Sequence, residues 1–121
     1  MAVILIVEDE PFTRDLAGMC MDDWGHSPLL ADSVESASTI LRSHQRIDAL
    51  FTDINLNGGS ADGFDVAREG VGLHPDLRVL YSSGNQLSDQ LRSSFVSGAH
   101  FLGKPYTPEQ LRIGLDALLG A

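Results

Sequence analysis

Clustered acids at the ends of two apolar runs are the strongest chemical signal in this sequence. Glu8, Asp9 and Glu10 follow the run Val3 to Val7, and Asp53 ends a second run. Acids brought close together repel one another unless one is protonated or a cation lies among them. Mg²⁺ is commonly held by one or two carboxylates and a phosphate, so this pattern favours Mg²⁺ over a full Ca²⁺ cage.

Two further polar residues stand at the ends of later apolar runs. Ser83, followed by Gly84, supplies a hydroxyl that can donate to an anion, and Lys104 supplies a positive charge. Lys104 can form a salt bridge with the acids in a resting state and bind a phosphate when one arrives. A lone serine at a strand end is usually a turn residue, but the combination favours a site.

Five strand-like runs alternate with segments of helical period, which indicates an α/β fold. The runs lie near residues 3 to 7, 27 to 31, 47 to 52, 77 to 82 and 99 to 102. Such alternation requires parallel strands joined by right-handed crossovers. Because the functional crevice of an open parallel sheet lies beyond the carboxyl ends of its strands, all of these polar groups are expected at one edge.

Five helices are predicted from capping residues and apolar spacing. The first begins after Glu10, which is expected to be merely solvated, and the fourth covers about residues 87 to 97. The other three begin near Ser33, Asp62 and Thr107. The residues of the first helix that are expected to face the core are Phe12, Leu16, Met19 and Cys20.

Composition limits the class of protein. A chain of 121 residues with 43% apolar content predicts one domain over residues 1 to 121. A net charge of -9 disfavours direct binding to nucleic acid or to anionic membranes. No apolar run is long enough to span a membrane and no signal peptide is present, so a cytoplasmic location is expected. The single Cys20 permits no internal disulfide.

The ordered set of motifs resembles the receiver domain of two-component response regulators, the CheY-like superfamily. These motifs are Glu8-Asp9, Asp53, Ser83-Gly84 and Lys104-Pro105-Tyr106. The resemblance implies a flavodoxin-like (βα)5 fold, a doubly wound five-stranded parallel sheet of order 2-1-3-4-5. It also implies a bacterial signalling domain that catalyses only its own phosphorylation and dephosphorylation. The start at Met1 favours a stand-alone regulator over an excised domain.

The resemblance assigns a role to each residue of the expected site. Asp53 would accept a phosphoryl group from a histidine kinase or a histidine phosphotransfer protein. Asp9 and Asp53 would bind Mg²⁺ or Mn²⁺ directly, Glu8 through water, and Asn55 through its backbone carbonyl. Lys104 would pair with a phosphoryl oxygen.

The family's switch and its phosphoryl lifetime are also implied by the resemblance. Ser83 would move to bind the phosphoryl group while Phe101 turns inward. The surface formed by the fourth helix, fifth strand and fifth helix would then bind a downstream protein or a second copy of the chain. The peptide bond before Pro105 would be cis. Asn55 and Asn85 would tune phosphoryl lifetime, and an intermediate lifetime is expected.

Two departures from the family pattern are visible. The segment from Asn55 to Gly63 is longer than the usual loop, lacks its proline and contains three glycines, which predicts a mobile lid. Ser83 replaces the more common threonine, so a looser switch is expected.

Three other functions remain open at this point. The leading alternative is a pseudo-receiver that binds partners without being phosphorylated. A small Mg²⁺-dependent aspartyl phosphatase is less favoured because Glu8-Asp9-Glu10 lacks the D-x-D order of such enzymes. A flavodoxin-like cofactor binder is disfavoured because the first loop is acidic and has no phosphate cradle.

Overall fold

A computed structural model describes residues 1–56 and 62–120, which form one parallel sheet flanked by helices. The strands are β1 (Val3–Val7), β2 (Ser27–Ala31), β3 (Ala49–Asp53), β4 (Arg78–Ser83) and β5 (His100–Gly103). The helices are α1 (Pro11–Asp23), α2 (Val34–Arg42), α3 (Gly63–Leu73), α4 (Asp89–Arg92) and α5 (Pro108–Leu119). The strand order is β2-β1-β3-β4-β5, which confirms the predicted fold.

The central strands are apolar because both faces of the sheet are covered. All five residues of β3 are buried, and β1 is buried from Ile4 to Val7. In the parallel register, Val7 pairs with Thr52, and Asp53 pairs with Ser82. The residues that follow β1, β3 and β4 are therefore brought to the same edge of the sheet.

Each face of the sheet has its own apolar core. One cluster joins Leu5, Leu50 and Tyr81 to α2 and α3, and the other joins Ile6 and Leu80 to α1 and α5. Burying one such aliphatic side chain contributes about 1.5–3 kcal/mol, so the two cores hold the strand ends in fixed positions.

The face that α1 turns to the core differs from the prediction. Phe12, Leu16 and Met19 are exposed, by 73%, 38% and 65%, and Cys20 is partly buried. The buried residues are instead Ala17, Gly18 and Met21. A Cβ on Gly18 would lie 3.1 Å from Leu30 Cδ2, so small residues allow the helix to lie close to β2. The prediction was wrong for Phe12, Leu16 and Met19, because helical spacing allows either face, but Cys20 does pack against the core.

Helix α4 is also shorter than predicted, with four residues instead of the span 87 to 97. Beyond it, the Val96 N–H donates to Tyr81 Oη at 3.2 Å, and Phe95 packs against Tyr81 with ring centroids 4.6 Å apart. At Val96 this long-range bond replaces a helical hydrogen bond, while Ser94 N and Phe95 N donate to carbonyls three residues earlier, as in a turn.

The predicted starts of α2, α3 and α5 are confirmed, with Ser33, Asp62 and Thr107 as their N-caps. Glu10 is not merely solvated, because its carboxylate accepts hydrogen bonds from Phe12 N and Thr13 N and caps α1. Most of the predicted lid, residues 57 to 61, lies outside the described residues. No helix in the described part of the chain is long and apolar enough to cross a membrane.

Candidate functional site

Three carboxylates meet at the carboxyl edge of the sheet. Glu8 and Asp9 follow β1, and Asp53 ends the neighbouring strand β3. Each offers an oxygen atom that lies within 4.8 Å of the others. Oxygen atoms alone, from two or three acids, form the donor set that Mg²⁺ prefers, so these residues fit a hard divalent cation.

Lys104, in the connection between β5 and α5, lies against this cluster. Its ammonium group donates to Glu8 Oε1 and, at 3.1 Å, to Asp53 Oδ2. Burial disfavours the charge on this lysine, but its hydrogen bonds with Glu8 and Asp53 outweigh burial and raise its pKa. Lys104 is therefore charged and already faces the position where a phosphoryl oxygen on Asp53 would lie.

One lysine does not compensate for the burial of two carboxylates. Burial raises the pKa of Asp53, and the hydrogen bond from Lys104 only partly opposes that shift. Burial likewise raises the pKa of Glu8, again against the opposing effect of Lys104. The site thus retains an excess of negative potential that a divalent cation would relieve.

Ser83, at the end of β4, is held by two hydrogen bonds and is 1% exposed. Its hydroxyl oxygen accepts from Asn85 N at 3.0 Å and from Asn55 Nδ2 at 3.3 Å. Asn55 also donates its backbone N–H to Asp53 Oδ1 at 3.4 Å. Asn55 therefore connects the Ser83 hydroxyl to the carboxylate of Asp53.

Phe101 contacts an aromatic neighbour on the side of α4. It is partly buried on β5, opposite Tyr81 of β4, and its ring stacks on Phe95 with centroids 6.2 Å apart. The next loop contains the cis peptide bond between Lys104 and Pro105, the isomer that the family resemblance predicts. The expected switch aromatic thus lies in contact with the segment that follows α4.

Gly63 is a site residue that sequence reasoning overlooked. Its N–H donates to Ile54 O at 2.8 Å, and a Cβ at this position would lie 2.1 Å from Asp53 O. Only glycine permits the start of α3 to approach the end of β3 this closely. The sequence signal was the pair Asp62-Gly63 at the helix start, where the glycine looked like part of a turn.

An apolar groove beside the site was also missed, because its position depends on the exposed face of α1. It has a volume of about 420 Å³. Its lining residues are Phe12, Thr13, Leu16, Gly84, Lys104, Pro105 and Tyr106. Burial, with a smaller contribution from Glu8, raises the pKa of Tyr106 to about 12, so this lining residue is neutral. The groove connects an apolar surface to Lys104.

The sheet order and the groups at its carboxyl edge define the class of CheY-like receiver domains. Comparison with known families agrees: the response regulator receiver domain matches residues 4–116, and the chain belongs to that family. Domains of this family act in signal transduction by two-component systems and bind Mg²⁺ at an acidic pocket.

Curated relatives include regulatory proteins of bacteria. The chain is 32% identical over 111 residues to the alginate biosynthesis transcriptional regulatory protein AlgB of Pseudomonas putida, covering 91% of this chain and 24% of that protein. It is 29% identical over 109 residues to the nitrogen assimilation regulatory protein NtrX of Azorhizobium caulinodans, covering 89% and 24%. The chain spans about a quarter of the length of these relatives.

Solved structures show the same fold. A response regulator receiver protein from Sinorhizobium medicae superposes with a TM-score of 0.89 at 29% identity, covering 99% of this chain and 95% of that one. NtrX from Brucella abortus superposes with a TM-score of 0.86 at 31% identity, covering 98% and 27%.

Proposed function

We propose that the chain takes a phosphoryl group onto Asp53 from the phosphohistidine of a histidine kinase or a histidine phosphotransfer protein, in a Mg²⁺-dependent reaction. The observation that supports this most is the arrangement around Asp53. Its carboxylate ends β3, accepts a hydrogen bond from Lys104 and lies with Glu8 and Asp9 in one acidic cluster.

The chemistry is nucleophilic attack by a carboxylate. An Asp53 oxygen forms a bond to phosphorus while the bond from phosphorus to the histidine nitrogen breaks, and the departing imidazole takes up a proton. Lys104 pairs with the phosphoryl oxygens, exchanging one negatively charged hydrogen-bond partner for another. The Ser83 hydroxyl donates to a second phosphoryl oxygen.

Asp9 and Asp53 would hold the metal directly, together with the backbone carbonyl of Asn55. Glu8 is proposed as an outer ligand through water, the role that the family resemblance implies; its oxygens accept hydrogen bonds from Lys104 and from Glu10 N. When bound, the cation neutralises charge on the acids and on the transferring phosphoryl group.

The groove beside Lys104 supports a protein as the phosphodonor. Phe12 and Leu16 are exposed apolar side chains on the side of the groove formed by α1. Exposed apolar surface beside a reactive group is typical of a protein contact, while a small phosphate ester would need polar groups instead.

We further propose that the output surface consists of α4, β5 and α5, and that it binds a downstream protein or a second copy of the chain. The stacking of Phe101 on Phe95 supports this surface, since a movement of Phe101 would be transmitted to the segment after α4. This output distinguishes the proposal from a small aspartyl phosphatase, which would turn over its substrate.

The decisive experiment is intact-mass measurement after incubation with phosphoramidate and Mg²⁺. We expect one added phosphoryl group on the wild type, and none in Asp53→Asn or without metal. Asp48→Asn, which alters an acid at the opposite end of the sheet, is the matched control and should label normally. An unlabelled wild type would favour a pseudo-receiver, and turnover of unrelated phosphate esters would favour a phosphatase.

A further inference from the structure

We infer that Asn55 is a positioning residue, whose side-chain amide fixes the Ser83 hydroxyl as a hydrogen-bond donor toward the phosphoryl group on Asp53. The inference rests on the proposed function and deepens it. Its basis is a juxtaposition: Asn55 Nδ2 lies 3.3 Å from Ser83 Oγ, and Asn85 N lies 3.0 Å from the same atom.

The hydrogen-bonding capacity of a serine hydroxyl explains how Asn55 would orient the Ser83 proton. The oxygen has two lone pairs that accept and one proton that donates. Two N–H groups, from Asn55 and Asn85, occupy both accepting positions. Ser83 can then only donate its proton. A phosphoryl oxygen is a suitable acceptor for that proton.

Because Ser83 is buried, the orientation of its hydroxyl depends on hydrogen bonds from protein groups. Ser83 is 1% exposed, so bulk water does not readily replace a lost donor. Serine also lacks the second Cβ substituent that stiffens the side chain of threonine, so its rotamer must be fixed by contacts. The two N–H donors provide those contacts, and only the one from Asn55 comes from a side chain that a substitution can remove.

Asn55 is also placed to link the two ends of the site. Its backbone N–H contacts Asp53 Oδ1 at 3.4 Å, while its side chain contacts Ser83. The residue itself is exposed, so core packing does not hold the amide in place. Substitution of its side chain should therefore change the hydroxyl without changing the fold.

The test is a double-mutant cycle on the affinity for beryllofluoride, a phosphoryl mimic, measured calorimetrically in saturating Mg²⁺. The four proteins are the wild type, Asn55→Ala, Ser83→Ala and the double variant. We expect Ser83→Ala to weaken binding about 10- to 100-fold, the range for a hydrogen bond to a charged group, and Asn55→Ala about 3- to 10-fold, the range for a neutral one. The double variant should be no weaker than Ser83→Ala alone.

Two controls separate positioning from other effects. Gln86→Ala removes an exposed amide from the connection between β4 and α4, next to Asn85, and should leave the affinity unchanged. Asn55→Asp keeps the shape but removes the donor; its carboxylate accepts the serine proton, so adding Ser83→Ala to this variant should cause no further loss of affinity. Urea unfolding should show that all single variants at position 55 fold normally.

The outcomes are distinct. Additive losses in the cycle, or an unchanged affinity in Asn55→Ala, would overturn the inference while leaving phosphorylation of Asp53 intact. If phosphoramidate also fails to label the wild type, the proposed function falls and this inference falls with it.

Discussion

Asp53, the proposed phosphoacceptor, is an ionisable residue that is buried at a cost to stability. Its carboxylate is buried at the end of β3, and its pKa is raised because burial outweighs the hydrogen bond from Lys104. A raised pKa in the folded state means that the folded protein holds this proton more tightly than the unfolded chain. Ionisation of Asp53 near neutral pH therefore destabilises the fold. This destabilisation is absent below the ordinary pKa, where the carboxyl group is protonated in both the folded and the unfolded state.

We accordingly expect Asp53→Asn to stabilise the metal-free protein at pH 7, by an amount on the order of 1 kcal/mol or a few degrees in Tm. In the wild type, adding Mg²⁺ should raise the Tm by linkage, and in Asp53→Asn this increase should largely disappear. Thermal unfolding with and without Mg²⁺ measures both effects. A metal-free variant that melts below the wild type would contradict the argument.

At the scale of elements, the start of α3 is set by contact with the end of β3. A Cβ on Gly63 would lie 2.1 Å from Asp53 O, and the atom in its way is backbone that cannot rotate aside. Alanine favours a helix over glycine by about 1 kcal/mol, so propensity and packing predict opposite signs here. Packing should win, because either α3 or the carboxylate of Asp53 has to move.

Gly63→Ala is expected to destabilise the protein by about 2 kcal/mol or more and to slow phosphorylation by phosphoramidate at least severalfold. Gly72, in the last turn of the same helix, has nothing within 4 Å of an added Cβ. Gly72→Ala should therefore stabilise by about 0.5–1 kcal/mol and label at the wild-type rate. Urea unfolding and labelling kinetics of both variants test the pair; equal effects at the two glycines would contradict the packing argument.

The segment after α4 is held by the hydroxyl of Tyr81. This buried ring lies among aromatic neighbours, with Phe95 at 4.6 Å and Phe64 at 5.2 Å between centroids, and its oxygen accepts from Val96 N. The hydroxyl therefore substitutes for the helical hydrogen bond that a longer α4 would have made.

Tyr81→Phe keeps the ring packing but leaves the Val96 N–H without this acceptor. We expect a loss of about 1 kcal/mol in the free energy of unfolding and faster hydrogen exchange at Val96. Exchange measured by NMR should change at Val96 and much less at Gly63 N, which donates to Ile54 O at the other side of the site. An unchanged rate at Val96 would show that the aromatic packing alone holds the segment.

At the scale of the whole molecule, the sheet and the groups at its carboxyl edge were predictable, whereas the face of α1 and the length of α4 were not. Apolar runs that end at Glu8, Asp53 and Ser83 specify buried parallel strands, and parallel strands bring their ends together. The orientation of α1 depends on Gly18 approaching Leu30, and the length of α4 depends on the Tyr81 hydroxyl. Both are contacts between distant parts of the chain, which local patterns do not contain.

A second contribution to the pH dependence of stability comes from the opposite end of the sheet. Asp48 accepts hydrogen bonds from Arg46 and, at 2.8 Å, from Val3 N. The hydrogen bond with Arg46 and that from Val3 lower its pKa against the effect of burial. A lowered pKa contributes stability that is present above the ordinary value of 3.8 and is lost as pH falls through the folded-state pKa.

We expect Asp48→Asn to lower the free energy of unfolding by about 1 kcal/mol at pH 7, since part of the ion pair is exposed and screened. Because the amide oxygen can still accept from Val3 N, the loss should come mainly from charge. The difference from wild type should therefore shrink as pH falls below 3.8 and vanish at lower pH. Urea unfolding across this pH range measures the difference, and Asp76→Asn, at an exposed position, is the control. A difference that stays constant with pH would mean that charge at Asp48 does not stabilise this end of the fold.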